Sequence, residues 1–221
     1  MLWTINCESP LSQIPMNDSH GLRPAGEQVH LLSGLLSEAD VQNIHAAARE
    51  IEQTKQTPLS YDNTLRSPED EMPFGMRAPH ESLFLHADGF FAERCPAILE
   101  KILFAMRRCH GDSSRSLGVR TIEYHSYRIG GGLLDPDHCD MGSTLTLSAL
   151  LSPREALRGG VFVTFHDDPV EERHHDNIAC GDAIVFDSER RHNVTAVLEG
   201  TRNSLVVELW EGPDNTRDRH S

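Results

Sequence analysis

Apolar residues recur at three- and four-residue intervals in the first half of the chain, and in short β-branched runs in the second half. Val41, Ile44, Ala48 and Ile51 lie at helical spacing within Glu38–Lys55, which predicts an amphipathic helix. Ser37 precedes it as an N-cap. Asp40 follows three residues on, where its carboxylate can face the first-turn amides. Ile98, Ile102, Ala105 and Met106 predict a second helix over about Gly89–Cys109. Val29–Leu36 is a strand-like run ahead of the first helix. From Val119 the pattern changes to strands: Val119–Arg128, Ser143–Leu151, Gly160–Phe165, Asp182–Asp187, Asn193–Leu198 and Asn203–Leu209. Glycine, proline and acidic clusters separate them. Two helices followed by regularly spaced strands predict a mixed α and β fold, with helices packed on a β-sandwich or barrel.

The remaining stretches punctuate this plan. Residues 1–28 read as an irregular lead-in, broken by Pro10, Pro15 and Pro24. Gln56–Pro79 carries Pro58, Pro68, Pro73, Gly75 and Pro79, and predicts a long loop with room for a short strand. A loop this long suits a lid or specificity element, with Asp62–Glu71 as the lid. His110–Gly118 reads as a turn region, and the acidic run Asp167–Asp176 as an exposed loop. The expected organisation is one domain over 29–212 and a polar tail over 213–221.

Composition narrows the setting. Of 221 residues, 38% are hydrophobic and 24% charged, enough apolar material for a core and too much for wholesale disorder. Acidic residues outnumber basic ones 34 to 20, giving a net charge of −14. Such a chain is repelled by phosphate backbones and anionic lipid, so neither nucleic acid nor a membrane is the expected partner. No run approaches the roughly 18 apolar residues of a spanning helix. The N-terminus lacks the basic and apolar regions of a secretory signal. Five cysteines, an odd number without a CxxC pair, argue against a disulfide framework or zinc knot. The expectation is a soluble protein, cytoplasmic or otherwise intracellular, with reduced thiols. Its 13 histidines call for a chemical explanation.

Three HxD triplets occur: His86/Asp88, His138/Asp140 and His174/Asp176. A His and an Asp two apart on a strand project to the same side. With a distant His they form a facial triad for non-haem Fe(II), leaving positions open. Only His138/Asp140 has the downstream context. His192 follows 52 residues after Asp140, Arg202 comes ten residues later, and Ser204 shares the strand parity of Arg202. By the same alternation Cys139 points away from the metal. His86, His110, His166, His174 and His175 read as solvated or structural.

On these residues the sequence resembles the Fe(II)/2-oxoglutarate-dependent oxygenases, and among them the prolyl-4-hydroxylase-like branch. The resemblance spans roughly Leu31–Trp210. Its carriers are Tyr127-x-x-Gly130, His138-x-Asp140, Gly159-Gly160-x-Phe162, Gly181-Asp182-Ala-Ile-Val-Phe186 and His192-x-Val194-x-x-Val197-x-x-Gly200-x-Arg202. It implies a double-stranded β-helix, or jelly roll, with N-terminal supporting helices. It implies His138, Asp140 and His192 as Fe(II) ligands, and Arg202 as the planar grip on the far carboxylate of 2-oxoglutarate. Tyr127 and Ser204 would add hydroxyl donors to that cosubstrate. O2 would be the second cosubstrate, succinate and CO2 the co-products, and ascorbate a reductant.

The implied activity is a dioxygenase hydroxylating an unactivated C–H bond. Asp140 stands where related halogenases carry a small residue, which favours hydroxylation over halogenation and leaves desaturation and cyclisation open. One departure concerns the substrate. The prolyl hydroxylase pattern places Trp six residues beyond the basic anchor, and here that residue is Glu208, with Trp210 two further on. Alternation from Arg202 would turn Ser204, Val206, Glu208 and Trp210 inward. Glu208 and Trp210 are therefore substrate-binding candidates, Glu208 facing a cationic or polar group of the substrate or of a neighbouring Arg. A small-molecule substrate leads. The alternatives are a peptidyl-prolyl hydroxylase acting on a protein and a non-catalytic metal-binding jelly roll.

Overall fold

The computed structural model describes residues 28–54, 58–61, 79–111, 116–135, 137–167 and 170–217. The expected lead-in, apart from residue 28, and the Asp62–Glu71 lid lie outside the described residues. After the short strand β1 (His30–Leu32), helix α1 (Glu38–Thr54) opens on the expected cap. The Ser37 amide donates to Asp40 Oδ2 at 2.9 Å, and the Asp40 amide donates to Ser37 Oγ at 3.2 Å. These bonds satisfy donors that helix geometry leaves without partners. Val41, Ile44, Ala47, Ala48 and Ile51 form the buried face.

The second predicted helix is two: α2 (Phe90–Arg94) and α3 (Pro96–His110). Pro96 has no amide to donate and drives the residue before it out of the helical region. Cys95 accordingly has φ −133°, and the chain turns there.

Strands β2 (Leu59–Tyr61) and β3 (His80–Phe84) precede α2. Then follow β4 (Gly118–Tyr127), β5 (Leu145–Leu150), β6 (Arg158–Gly159), β7 (Phe162–Asp167), β8 (Val170–His174), β9 (Ala183–Asp187), β10 (His192–Val194), β11 (Val197–Glu199) and β12 (Arg202–Trp210). They form a seven-stranded sheet in the order β1-β9-β5-β12-β4-β3-β2, a three-stranded sheet β10-β7-β8 and a two-stranded ladder β11-β6. Every pairing is antiparallel. This is the jelly roll with supporting helices.

Two sequence expectations are corrected. The acidic run Asp167–Asp176 is not a loop: most of it belongs to the β7–β8 hairpin. Strand β8 is an edge strand, and its charges pair among themselves, His174 with Glu172 at 2.7 Å and Arg173 with Glu171 at 3.6 Å. Charged edges of this kind resist pairing with other chains. The run Asn193–Leu198 is not one strand: it breaks at Thr195–Ala196 into β10 and β11.

The large sheet is apolar on one face and chemically mixed on the other. On β5, Leu145, Leu147 and Ala149 join the core against α1 and α3, as do Leu205, Val207 and Leu209 of β12. The alternate residues turn toward the small sheets, as strand geometry requires. There Tyr127, Leu150, Phe162, Phe186 and Val194 build a second apolar cluster, and it walls the site described next. No helix among the described residues is long and apolar enough to cross a membrane. Cys95, Cys109, Cys139 and Cys180 form no disulfide among the described residues.

Candidate functional site

A cavity of about 230 Å³ opens between the large sheet and strands β7 and β10. Alternate residues of β12 line one side, from Arg202 through Ser204 and Val206 to Glu208. Residues of β4 line the neighbouring strip, with Arg202 opposite Tyr127 and Val206 opposite Glu123.

His138, Asp140 and His192 meet in this cavity, their ligand atoms all within 4.8 Å of one another. His138 Nε2 lies 3.3 Å from Asp140 Oδ1, and His192 Nε2 lies 3.6 Å from Asp140 Oδ2. His138 and Asp140 do not sit on a strand. They belong to an irregular segment tied down by its main chain, whose amide at Asp140 donates to Ser188 O at 2.8 Å. The His192 amide donates to His138 O at 3.0 Å, which brings the start of β10 against that segment.

The donor set fits a divalent metal of intermediate softness. His192 Nδ1 donates to Arg190 O at 3.0 Å, which leaves Nε2 with its lone pair toward the cluster. Thr146 Oγ1 donates to Asp140 Oδ2 at 2.8 Å and also meets Ser188 Oγ at 2.9 Å. Burial alone would raise the Asp140 pKa. The hydrogen bond with His138, the charges of His192 and His138, and the Thr146 hydroxyl hold it down to about 2. The carboxylate is thus anionic at neutral pH. No family of ligands beyond this triad gathers elsewhere among the described residues.

Arg202 lies 1% exposed at the other end of the cavity. Its Nε donates to Gly160 O at 3.0 Å and Nη1 donates to Ser204 Oγ at 2.8 Å. The guanidinium lies 5.5 Å from the Tyr127 ring centroid, and His80 stacks on the same ring at 4.1 Å. No carboxylate among the described residues pairs with Arg202. Burial pulls its pKa down, Tyr127 opposes that, and the Arg154 charge adds to it. Gly160, with φ +60°, leaves room for the side chain: a Cβ there would lie 3.1 Å from Arg202 Cδ.

The structure brings Tyr127, Ser204 and Glu208 into the same cavity as the triad and Arg202. Glu208 is engaged by protein groups, accepting a hydrogen bond from Ser143 Oγ at 2.6 Å and lying 3.5 Å from Arg120 Nη1. Trp210 ends β12 and is not among the residues that line the cavity. Its Nε1 donates to Pro213 O at 2.9 Å. Cys139 is outside the ligand set. Burial and the charges of Asp140, Glu189, Asp135 and Asp137 push its thiol pKa up.

Several histidines have local roles. His86 Nδ1 accepts from the Ile122 amide at 3.1 Å, and His166 Nδ1 contacts Arg190 Nη1 at 3.1 Å. Sequence reasoning missed the wall formed by His80, Glu123 and His125. His80 Nε2 and His125 Nδ1 are 2.8 Å apart, and His125 Nε2 lies 3.1 Å from Glu123. The alternation Glu123, His125, Tyr127 along β4 was a usable signal. His80 carried none, because β3 itself was not recognisable.

No protein-family model matches the sequence, and no curated protein matches it. Solved structures do match in shape. A 2OG-Fe(II) oxygenase family oxidoreductase from Burkholderia pseudomallei aligns over 86% of this chain and 87% of its own, at 15% identity and TM-score 0.57. A prolyl hydroxylase from Trichoplax adhaerens, solved with a hypoxia inducible factor peptide fragment, aligns over 84% of each chain at 14% identity and TM-score 0.61. The alpha-ketoglutarate-dependent epimerase SnoN of nogalamycin biosynthesis aligns over 85% of this chain and 78% of its own, at 13% identity and TM-score 0.58. The fold of this protein is therefore that of the 2-oxoglutarate- and Fe(II)-dependent oxygenases.

Proposed function

We propose that the protein is an Fe(II)- and 2-oxoglutarate-dependent dioxygenase that hydroxylates an unactivated C–H bond of a small molecule. The observation that carries this reading is Arg202, a fully buried cation with no carboxylate partner among the described residues, in one cavity with a His-Asp-His cluster. A buried charge without a counter-ion is costly, so the cavity suits an anionic ligand. A 2-oxo dicarboxylate would satisfy Arg202 with its far carboxylate and would leave its keto acid end for a metal held by the triad. Fe(II) bound at the triad would supply the activation of O2, with 2-oxoglutarate converted to succinate and CO2.

The chain's own residues do the positioning. His138, Asp140 and His192 would hold the ion with one ligand atom each and would leave its other positions to ligands. Arg202, braced by Gly160 O and Ser204, fixes the far carboxylate, and Tyr127 covers the guanidinium. Phe162, Phe186 and Val194 form an apolar wall that limits water. Glu208 supports a substrate other than peptidyl proline: it stands in place of an indole and is engaged by Arg120 and Ser143.

The prolyl hydroxylase reading is kept by the likeness to the Trichoplax enzyme. Succinate formation with Fe(II), ascorbate and 2-oxoglutarate tests the proposal, across a panel of amino acids, other small molecules and proline peptides. Turnover accelerated by a small molecule that gains one oxygen atom is the expected result. Acceleration only by proline peptides selects the second reading. A protein that binds metal yet never forms succinate is a non-catalytic jelly roll.

A further inference from the structure

Asp140 heads a turn that is fastened to the large sheet by groups outside the metal cluster. Its carbonyl accepts the Ser143 amide at 3.1 Å. Gly142 within the turn has φ +87°, a conformation open to glycine without steric cost. The Arg120 guanidinium from β4 lies against this turn. Its Nη1 donates to Met141 O at 2.7 Å and to Ser143 Oγ at 2.8 Å. A Cβ at residue 142 would lie 3.3 Å from both terminal nitrogens of Arg120.

Glu208 completes the clamp from β12. Its Oε2 accepts Ser143 Oγ at 2.6 Å and stands 3.5 Å from Arg120 Nη1. Thr121, beside Arg120, is the register partner of Glu208, so both charges reach the turn from adjoining strands. Glu208 is 1% exposed. A carboxylate that deep is stable only with hydrogen bonds and a cation, and the turn supplies the first while Arg120 supplies the second. Thr146 holds the Asp140 side chain separately. The clamp thus acts on the main chain that presents it.

We propose that Arg120 and Glu208 are positioning residues, which hold the Asp140–Ser143 turn and through it keep the Asp140 carboxylate in metal-binding geometry. The proposal rests on His138, Asp140 and His192 being metal ligands, a premise shared with the oxygenase reading, but it does not rest on turnover. Losses of partners behind metal ligands commonly weaken metal binding by about 10- to 100-fold.

The test is calorimetric titration of metal-free protein with Co(II), together with the visible spectrum of the Co(II) form. Glu208→Leu and Arg120→Met should each weaken Co(II) binding by about tenfold or more and alter the spectrum. Glu208→Gln keeps an acceptor for Ser143 and should recover most of that loss. The double variant should bind no worse than the weaker single one, because both act on one turn. Ser143→Ala removes the shared hydroxyl alone and decides the matter if the larger changes prevent folding. Co(II) affinity in Ser143→Ala and Glu208→Leu equal to that of the wild type overturns the clamp while leaving the metal site intact. A wild-type protein that takes no Co(II) overturns the metal site and the clamp with it.

Discussion

Arg202 concentrates the chemistry of the cavity at one residue. Its charge is buried, its Nε and Nη1 are held by Gly160 O and Ser204 Oγ, and no carboxylate among the described residues pairs with it, which leaves that place to the proposed 2-oxoglutarate. Charge-assisted hydrogen bonds are worth about 1.5–3 kcal/mol each, so losing the fork should cost roughly a hundredfold in affinity. Arg202→Met should therefore weaken 2-oxoglutarate binding by about that factor and leave Co(II) binding to the metal-free protein nearly unchanged. Calorimetry with each ligand separately reads both effects.

Gly160 sets the position of that side chain. An alanine there would adopt a left-handed conformation at a cost of about 1–2 kcal/mol, and its methyl would press on Arg202 Cδ. Gly160→Ala should lower the thermal midpoint and the 2-oxoglutarate affinity together. At this scale much of the site was legible: spacing singled out His138, Asp140, His192 and Arg202, and the family resemblance gave them their expected roles. Arg120 was not. Its partnership with Glu208 depends on strand register and on a turn geometry that no local pattern encodes.

The elements show where patterning works and where it fails. The Ser37–Asp40 cap was readable because capping is local chemistry, and it forms as expected. Ser37→Ala should destabilise the protein by about 1 kcal/mol, seen as a lower urea midpoint with unchanged slope. Strand β3 escaped notice because His80, Glu81 and Ser82 are polar yet buried, the reverse of what an apolar count detects. Strand β8 escaped because an edge strand gains from charge. The joint between α2 and α3 was marked by Pro96, whose consequence the apolar spacing of the second helix concealed. The alternation of β12 holds through Leu209, and Trp210, one residue further on, lies past the residues that line the cavity, a limit that strand parity does not encode.

At the scale of the whole molecule, the jelly roll encloses polar and apolar side chains together, and burial acts on several histidines in and around the cavity. His80 is held neutral down to about 2, chiefly by burial, with the charges of His125, Arg202 and His138 adding to the effect. His175 is held down to about 4, first by burial and then by Arg173, His166 and His174. In the unfolded chain such rings take up a proton near pH 6.5. Below that pH the unfolded state binds more protons than the native one, so stability falls as pH falls; above it these rings contribute no pH dependence. At pH 5 His80 alone should remove about 2 kcal/mol from the metal-free protein. Urea midpoints measured from pH 8 to pH 4 should be level at first and then descend from about pH 6.5.

The three side chains of the His-Asp-His cluster are unequal in their access to water. The side chain of His138 is 24% exposed, against 5% for Asp140 and 6% for His192. Of the three, His138 is the side chain that solvent reaches first. Exchange with a chelator should begin as that imidazole swings outward, while the other two ligands remain walled in. Metal loss to a chelator should then be faster when His138 is replaced by Ala than when the more deeply placed His192 is, a difference that Co(II) release followed by its visible spectrum would read.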